Sequence, residues 1–194
     1  MTKLSMDPND TALLLVDFQD GVVELSRTVE QVSLRAAAVS LAKLTRLYKI
    51  PAVVSIAMLE GPTRVTPEIE SALGESGLLI PGRTTANAFT HTPTANKITS
   101  LGCKTLVVAG VLTEVAVQHS ALAGVENGYD VQVVVDACGG LSRRTEDAAF
   151  RRLIQAGVTL TSCASIAGLL MGDITQNAAA LESLKILFEI CSIG

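Results

Sequence analysis

The chain has 194 residues, 48% hydrophobic and 18% charged, with 15 basic against 19 acidic side chains for a net charge of −4. That balance excludes a disordered chain and offers no basic stripe to a nucleic acid, so none is expected as a partner. Domains run to roughly 100–200 residues, so residues 1–194 are expected to form a single domain whose core needs no disulfide or structural metal.

The mean hydropathy of +0.43 raises the question of a membrane. The apolar runs are short and broken by charges, so no membrane partner is expected. Met1-Thr2-Lys3-Leu4-Ser5 lacks the apolar core of a secretory signal, and a cytoplasmic location is expected. Cys103, Cys138, Cys163 and Cys191 stand far apart without a CxxC, the pattern of reduced thiols in a cytosolic core. Aromatics are only 3%, with no Trp, so Val, Leu, Ile and Ala must fill the core. The high apolar fraction agrees with a buried subunit interface.

In chain order, Ala12-Leu13-Leu14-Leu15-Val16 is a continuous apolar run ending at Asp17, as for a strand buried on both faces. Ala and Leu recur at helical spacing from about Thr28 to Tyr48. Pro51 to Ile56 is the second strand, followed by a loop at Gly61-Pro62-Thr63-Arg64 and a short helix from Pro67. Leu78-Leu79-Ile80 is a weak third strand before Gly82-Arg83, and residues from about Pro93 to Leu101 are helical, stopped by Gly102. Thr105 to Ala109 is a strand, with a helix from about Thr113 to Asn127 after it. Val131 to Val135 is the next strand, and a helix, a strand at Val158-Thr159-Leu160 and two helical segments complete the chain. Strands alternating with helices predict parallel βαβ units in a three-layer α/β fold. Sites in such sheets lie beyond the carboxyl ends of the strands, which directs attention to Asp17, Arg83, Gly110 to Ala116, and Asp136 to Gly140.

At a strand end a partly desolvated Asp17 would be a proton acceptor of raised pKa, or simply a loop-organising carboxylate. Arg83 could pair with Asp17 or hold an anionic substrate, or be a solvated surface arginine. Backbone N–H groups at the helix start near Thr113 could hold an anion or oxyanion, or belong to an ordinary strand–helix turn, with Thr113 as the expected N-cap and Glu114 in the first turn. Ala116 falls in that turn, where a nucleophile would gain from the helix, but alanine supplies none. Cys138 could be reactive or, more simply, a structural thiol. His91 and His119 lie on different elements, and no P-loop, G-x-S-x-G or G-x-G-x-x-G is present. Arg143-Arg144 and Arg151-Arg152 read as the solvated face of a helix.

Leu13-Leu14-Leu15-Val16-Asp17-Phe18-Gln19, Val108-Ala109-Gly110-Val111-Leu112-Thr113-Glu114-Val115 and Gly128-Tyr129-Asp130-Val131 leading to Asp136-Ala137 together resemble the isochorismatase-like cysteine hydrolase superfamily, from about Thr11 to Ala167. The resemblance implies a Rossmann-like three-layer α/β/α fold around a six-stranded, mostly parallel sheet. It implies a catalytic Asp at Asp17, a cation at Arg83 where the family has lysine, and a nucleophile position at Ala116 where the family has cysteine. A cis peptide would map to Val111-Leu112, and with Ala116 these residues would form the oxyanion site. Asn87-Ala88-Phe89 is similar to the family's Ser-Ala-Phe, and Phe18, Met58 with Leu59, Asn87, Phe89 and Thr113 are candidate substrate-pocket residues, though the apolar ones serve equally as core. No cofactor is implied. No metal is implied either, since Ser55 to Glu60 has no histidine.

With a cysteine at 116, such a site would hydrolyse a small amide, carbamoyl or imide substrate. Three explanations of Ala116 stand side by side. It is a Cys→Ala change made in a working enzyme, the mark of a natural binding or scaffold protein, or part of a vinyl-ether hydrolase that uses Asp17 as general acid.

Overall fold

The computed structural model describes residues 6–58 and 64–191, with residues 190 and 191 as backbone alone. Leu59, expected beside Met58, and Gly61 to Thr63 of the expected loop lie outside the described residues.

Six strands form the sheet: β1 (Thr11–Val16), β2 (Ala52–Ala57), β3 (Gly77–Arg83), β4 (Thr105–Val111), β5 (Asp130–Gly139) and β6 (Thr159–Thr161). Their spatial order is β3-β2-β1-β4-β5-β6, and every neighbouring pair is parallel. The sheet is thus parallel throughout rather than mostly so. The helices are α1 (Asp20–Val23), α2 (Gln31–Leu47), α3 (Pro67–Leu73), α4 (Thr92–Ser100), α5 (Gln118–Glu126), α6 (Arg143–Gln155), α7 (Cys163–Met171) and α8 (Ala180–Cys191). Helices α2, α3, α7 and α8 pack together on one face, and α4, α5 and α6 lie on the other.

Burial on both faces explains the composition of β1 and β4, in which every residue is buried. At an edge, β3 differs. Its burial is broken, and it runs three residues past the predicted Ile80 to take in Pro81, Gly82 and Arg83. Proline is tolerated there because one side of an edge strand has no ladder bond to lose. The expected helix at 113–127 begins instead as a wide π turn, Thr113–Val117, before α5 takes over.

The chain turns back between β3 and β4, so the strand order reverses where β1 and β4 lie side by side. Crevices open at such reversals, at the carboxyl ends of the strands. Here the two backbones are drawn close. A Cβ on Gly110 would stand 2.3 Å from the Val16 carbonyl oxygen and 3.0 Å from its Cβ. No helix among the described residues is long and apolar enough to cross a membrane.

Candidate active site

Asp17 follows β1 with φ of 58°, a left-handed backbone that Asp adopts more readily than most residues because its short side chain bonds locally. Its N–H donates to the Ser55 carbonyl at 3.0 Å, and its Oδ1 accepts the Ala57 N–H at 3.1 Å. Arg83, the last residue of β3, donates from Nη2 to both oxygens of Asp17. Its Nε donates to Ser55 Oγ at 3.1 Å, and its Nη1 donates to the Thr85 carbonyl. The pair is desolvated, with Asp17 6% and Arg83 2% exposed. Arg83 is therefore no surface arginine.

Burial pushes the Asp17 carboxyl above its ordinary range. The hydrogen bond and charge of Arg83, and the Ala57 N–H, pull the other way but less strongly. Gln19 steadies the same corner. Its Oε1 accepts the Ala57 N–H at 3.0 Å, and its Nε2 donates to the Ala57 carbonyl at 3.1 Å.

Across the strand-order reversal, the Val111–Leu112 peptide is cis. The Leu112 carbonyl then accepts the N–H groups of Val115 at 3.1 Å and Val117 at 3.3 Å. The wider closure makes the π turn that carries Ala116, which is 3% exposed. The expected capping by Thr113 does not occur. Leu112 holds the cap position, and the Thr113 hydroxyl donates instead to Glu146 Oε1 on α6 at 2.7 Å. Glu114 does fall in the first turn. Its Oε1 accepts from the Leu141 N–H at 2.9 Å and the Thr145 hydroxyl at 2.7 Å, while its Oε2 is buried without a partner.

The other candidates differ in exposure and partners. Phe18 lies wholly in the core, its carbonyl accepting from Thr66, and Met58 is 62% exposed. Asn87 uses its Oδ1 on the Phe89 N–H, and its carbonyl accepts from the Thr85 and Thr90 hydroxyls. The Phe89 ring packs on Tyr129, centroids 5.8 Å apart. Cys138 pairs with Gly110 across β4 and β5 but is fully buried, which pushes its thiol up to about 12. Asp136 accepts the Cys163 N–H at the start of α7, and burial also raises the Cys163 thiol. Among the described residues no three His, Cys, Asp or Glu side chains are grouped to hold a metal.

Sequence reasoning brought out Asp17 and Arg83, which the structure joins, and passed over Ser55, Gln19, Glu146 and Thr145. Ser55 did leave a signal, as the lone hydroxyl in the apolar run Ala52-Val53-Val54-Ser55-Ile56. Glu146 left none, being 33 residues from Thr113.

The isochorismatase domain matches residues 11–165. The chain belongs to the isochorismatase family. A probable hydrolase of Escherichia coli, YcaC, is 32% identical over 188 residues, covering 95% of this chain and 89% of its own. The crystal structure of that protein, an octameric hydrolase of unknown specificity, superposes with a TM-score of 0.85 at 28% identity over the whole of both chains. YcaC from Pseudomonas aeruginosa, with hexane-2,5-diol and covalent acrylamide, gives 0.83 at 29% identity over 99% of this chain and 98% of its own. The fold is therefore the three-layer isochorismatase fold, and the chain is similar to a hydrolase of unknown specificity.

Proposed function

We propose that residues 1–194 form a single hydrolase domain whose site, at the ends of β1, β3 and β4, is built for a small amide, carbamoyl or imide substrate, with Ala116 at the nucleophile position. The buried Asp17–Arg83 pair carries this reading. Two opposite charges held away from water with every carboxylate bond supplied suit proton transfer better than they suit stability, since buried ion pairs stabilise little.

With a thiol at 116, Asp17 takes its proton and the thiolate attacks the substrate carbonyl carbon. The backbone N–H groups of Leu112 and residue 116 receive the developing oxyanion. Asp17 returns the proton to the leaving nitrogen as the C–N bond breaks, and then helps water to release the acyl group. Arg83 holds the carboxylate in place throughout. A methyl group cannot do this, so the chain as it stands is inactive by that route. A cysteine replaced by design and one lost in evolution would leave the same site. Like its octameric relative, the chain works as a homo-oligomer, on small molecules and without a cofactor.

The experiment is hydrolysis of an amide and imide panel by Ala116→Cys beside the unchanged chain. Activity with cysteine alone, lost again on Asp17→Asn, is the expected result. Silence of Ala116→Cys across the panel, with ligand binding retained, would transfer the site to a binding role.

A second reading draws on Ala116 itself, since a site without a side-chain nucleophile still suits a reaction that Asp17 drives as general acid. Vinyl-ether hydrolysis needs only such a donor and water. Turnover of isochorismate by the unchanged chain, abolished by Asp17→Asn, is its signature.

A further inference from the structure

We propose that Ser55 is the positioning residue of the Asp17–Arg83 pair, and that its hydroxyl fits position 83 to arginine in particular. Ser55 touches both partners. Its carbonyl accepts the Asp17 N–H at 3.0 Å, and its hydroxyl accepts the Arg83 Nε–H at 3.1 Å. One wholly buried residue thus holds the acid by main chain and the cation by side chain.

The strand around it fixes that geometry. Ser55 lies between Val16 of β1 and Ile80 of β3 in the ladder, just before the β2–β3 register shifts between Ser55 and Ala57. Beyond the shift, Ala57 pairs with Arg83 and lends its N–H to Asp17, and the Met58 N–H bonds the Arg83 carbonyl at 2.7 Å. The ends of β1 and β3 are therefore tied across Ser55, Ile56 and Ala57 of β2 and Met58 just after it, of which Ser55 alone presents a side-chain oxygen.

Three acceptors face the guanidinium: Asp17 at Nη2, the Thr85 carbonyl at Nη1 and Ser55 Oγ at Nε. Together they fix its plane, which a single ion pair would leave free to rotate. Lysine has a methylene carbon where arginine has Nε, so an ammonium could serve Asp17 but would leave the Ser55 hydroxyl without its bond. Removing that hydroxyl strands a buried N–H only when residue 83 is arginine. The Thr85 acceptor is main chain and survives any substitution, so Ser55 is the arginine-specific contact that mutation can remove.

The inference rests on Asp17 and Arg83 being the working pair, but its test needs no turnover. The Asp17 carboxyl is titrated by 13C NMR in the unchanged chain, Ser55→Ala, Arg83→Lys and the double variant, its signal assigned by loss in Asp17→Asn. A loosened Arg83 holds the carboxylate less well, so Ser55→Ala should raise the Asp17 pKa by about half a unit or more. On the Arg83→Lys background the same change should add nothing. Ser55→Cys, of nearly the same size with a weaker acceptor, should fall between and carries the test if Ser55→Ala does not fold. An unmoved Asp17 titration in the folded Ser55 variant would overturn the proposal, and so would equal shifts on the arginine and lysine backgrounds. A hydrolytically silent Ala116→Cys protein that still showed the arginine-dependent shift would count against the proposed activity alone.

Discussion

The two sides of the strand-order reversal are finished to different degrees. On the β1–β3 side each polar group has a partner: Asp17 bonds Arg83 and Ala57, Arg83 bonds Asp17, Ser55 and Thr85, and Gln19 closes on Ala57. On the β4 side the backbone is shaped with equal care, through a cis peptide, a π turn and two glutamates tied to neighbouring segments. Yet at the proposed nucleophile position that turn carries only the methyl group of Ala116. Charge and backbone shape are maintained by separate strands, so a change of side chain on β4's turn need not disturb the electrostatic half.

Cys138 is the thiol that could undo this contrast, since it stands beside Gly110 on β5. A thiol pushed to about 12 has roughly 10³-fold less thiolate at pH 8 than an ordinary one. Iodoacetamide followed by mass spectrometry should therefore leave Cys138 unmodified in native protein and label it on unfolding. Labelling of native Cys138 at the unfolded rate would restore a nucleophile to the β4 side. The next effect tests the finished side. Arg83→Ala strands the Asp17 carboxylate in a buried site and should cost about 3–5 kcal/mol in urea unfolding. A cost below about 1 kcal/mol would mean that water already reaches the pair.

Thr113→Val removes the hydroxyl from Glu146 at nearly constant volume and should cost about 1–2 kcal/mol by the same measurement. A neutral result would show that the π turn is held by its backbone alone. The smallest effect is one of pH. Folded Asp17 has a pKa above its ordinary value of 3.8, so over that interval the folded state binds more protons than the unfolded. Its contribution to stability is accordingly greatest below the interval and declines as pH rises through it. Unfolding curves for the chain and Asp17→Asn, from about pH 3 to about pH 7, should show their difference moving in that direction. The opposite slope would mean that Arg83 outweighs burial.

The fold was legible because its signals are local: apolar runs mark buried strands, and helical periods alternate with them. The run from Ala12 to Val16 and the turn of composition at Asp17 located one half of the site. The resemblance carried Arg83 and the cis peptide. What escaped the sequence was partnership at a distance. Thr113 looked like a cap because caps are local, whereas its hydroxyl is claimed by Glu146 from another helix. Phe18 and Met58 show the same limit, one wholly buried and the other largely exposed though both follow strand ends. Pro81 hid the length of β3, since only the sheet order reveals that β3 is an edge.

Gly110 sets the latitude for redesign. With Val16 so near, any side chain at 110 would have to wedge β1 from β4 and thereby part Asp17 from the turn that bears Ala116. A variant library seeking new substrates should therefore hold this position constant and spend its diversity on 116. Recovered clones that altered residue 110 would be expected to have lost their solubility before their selectivity.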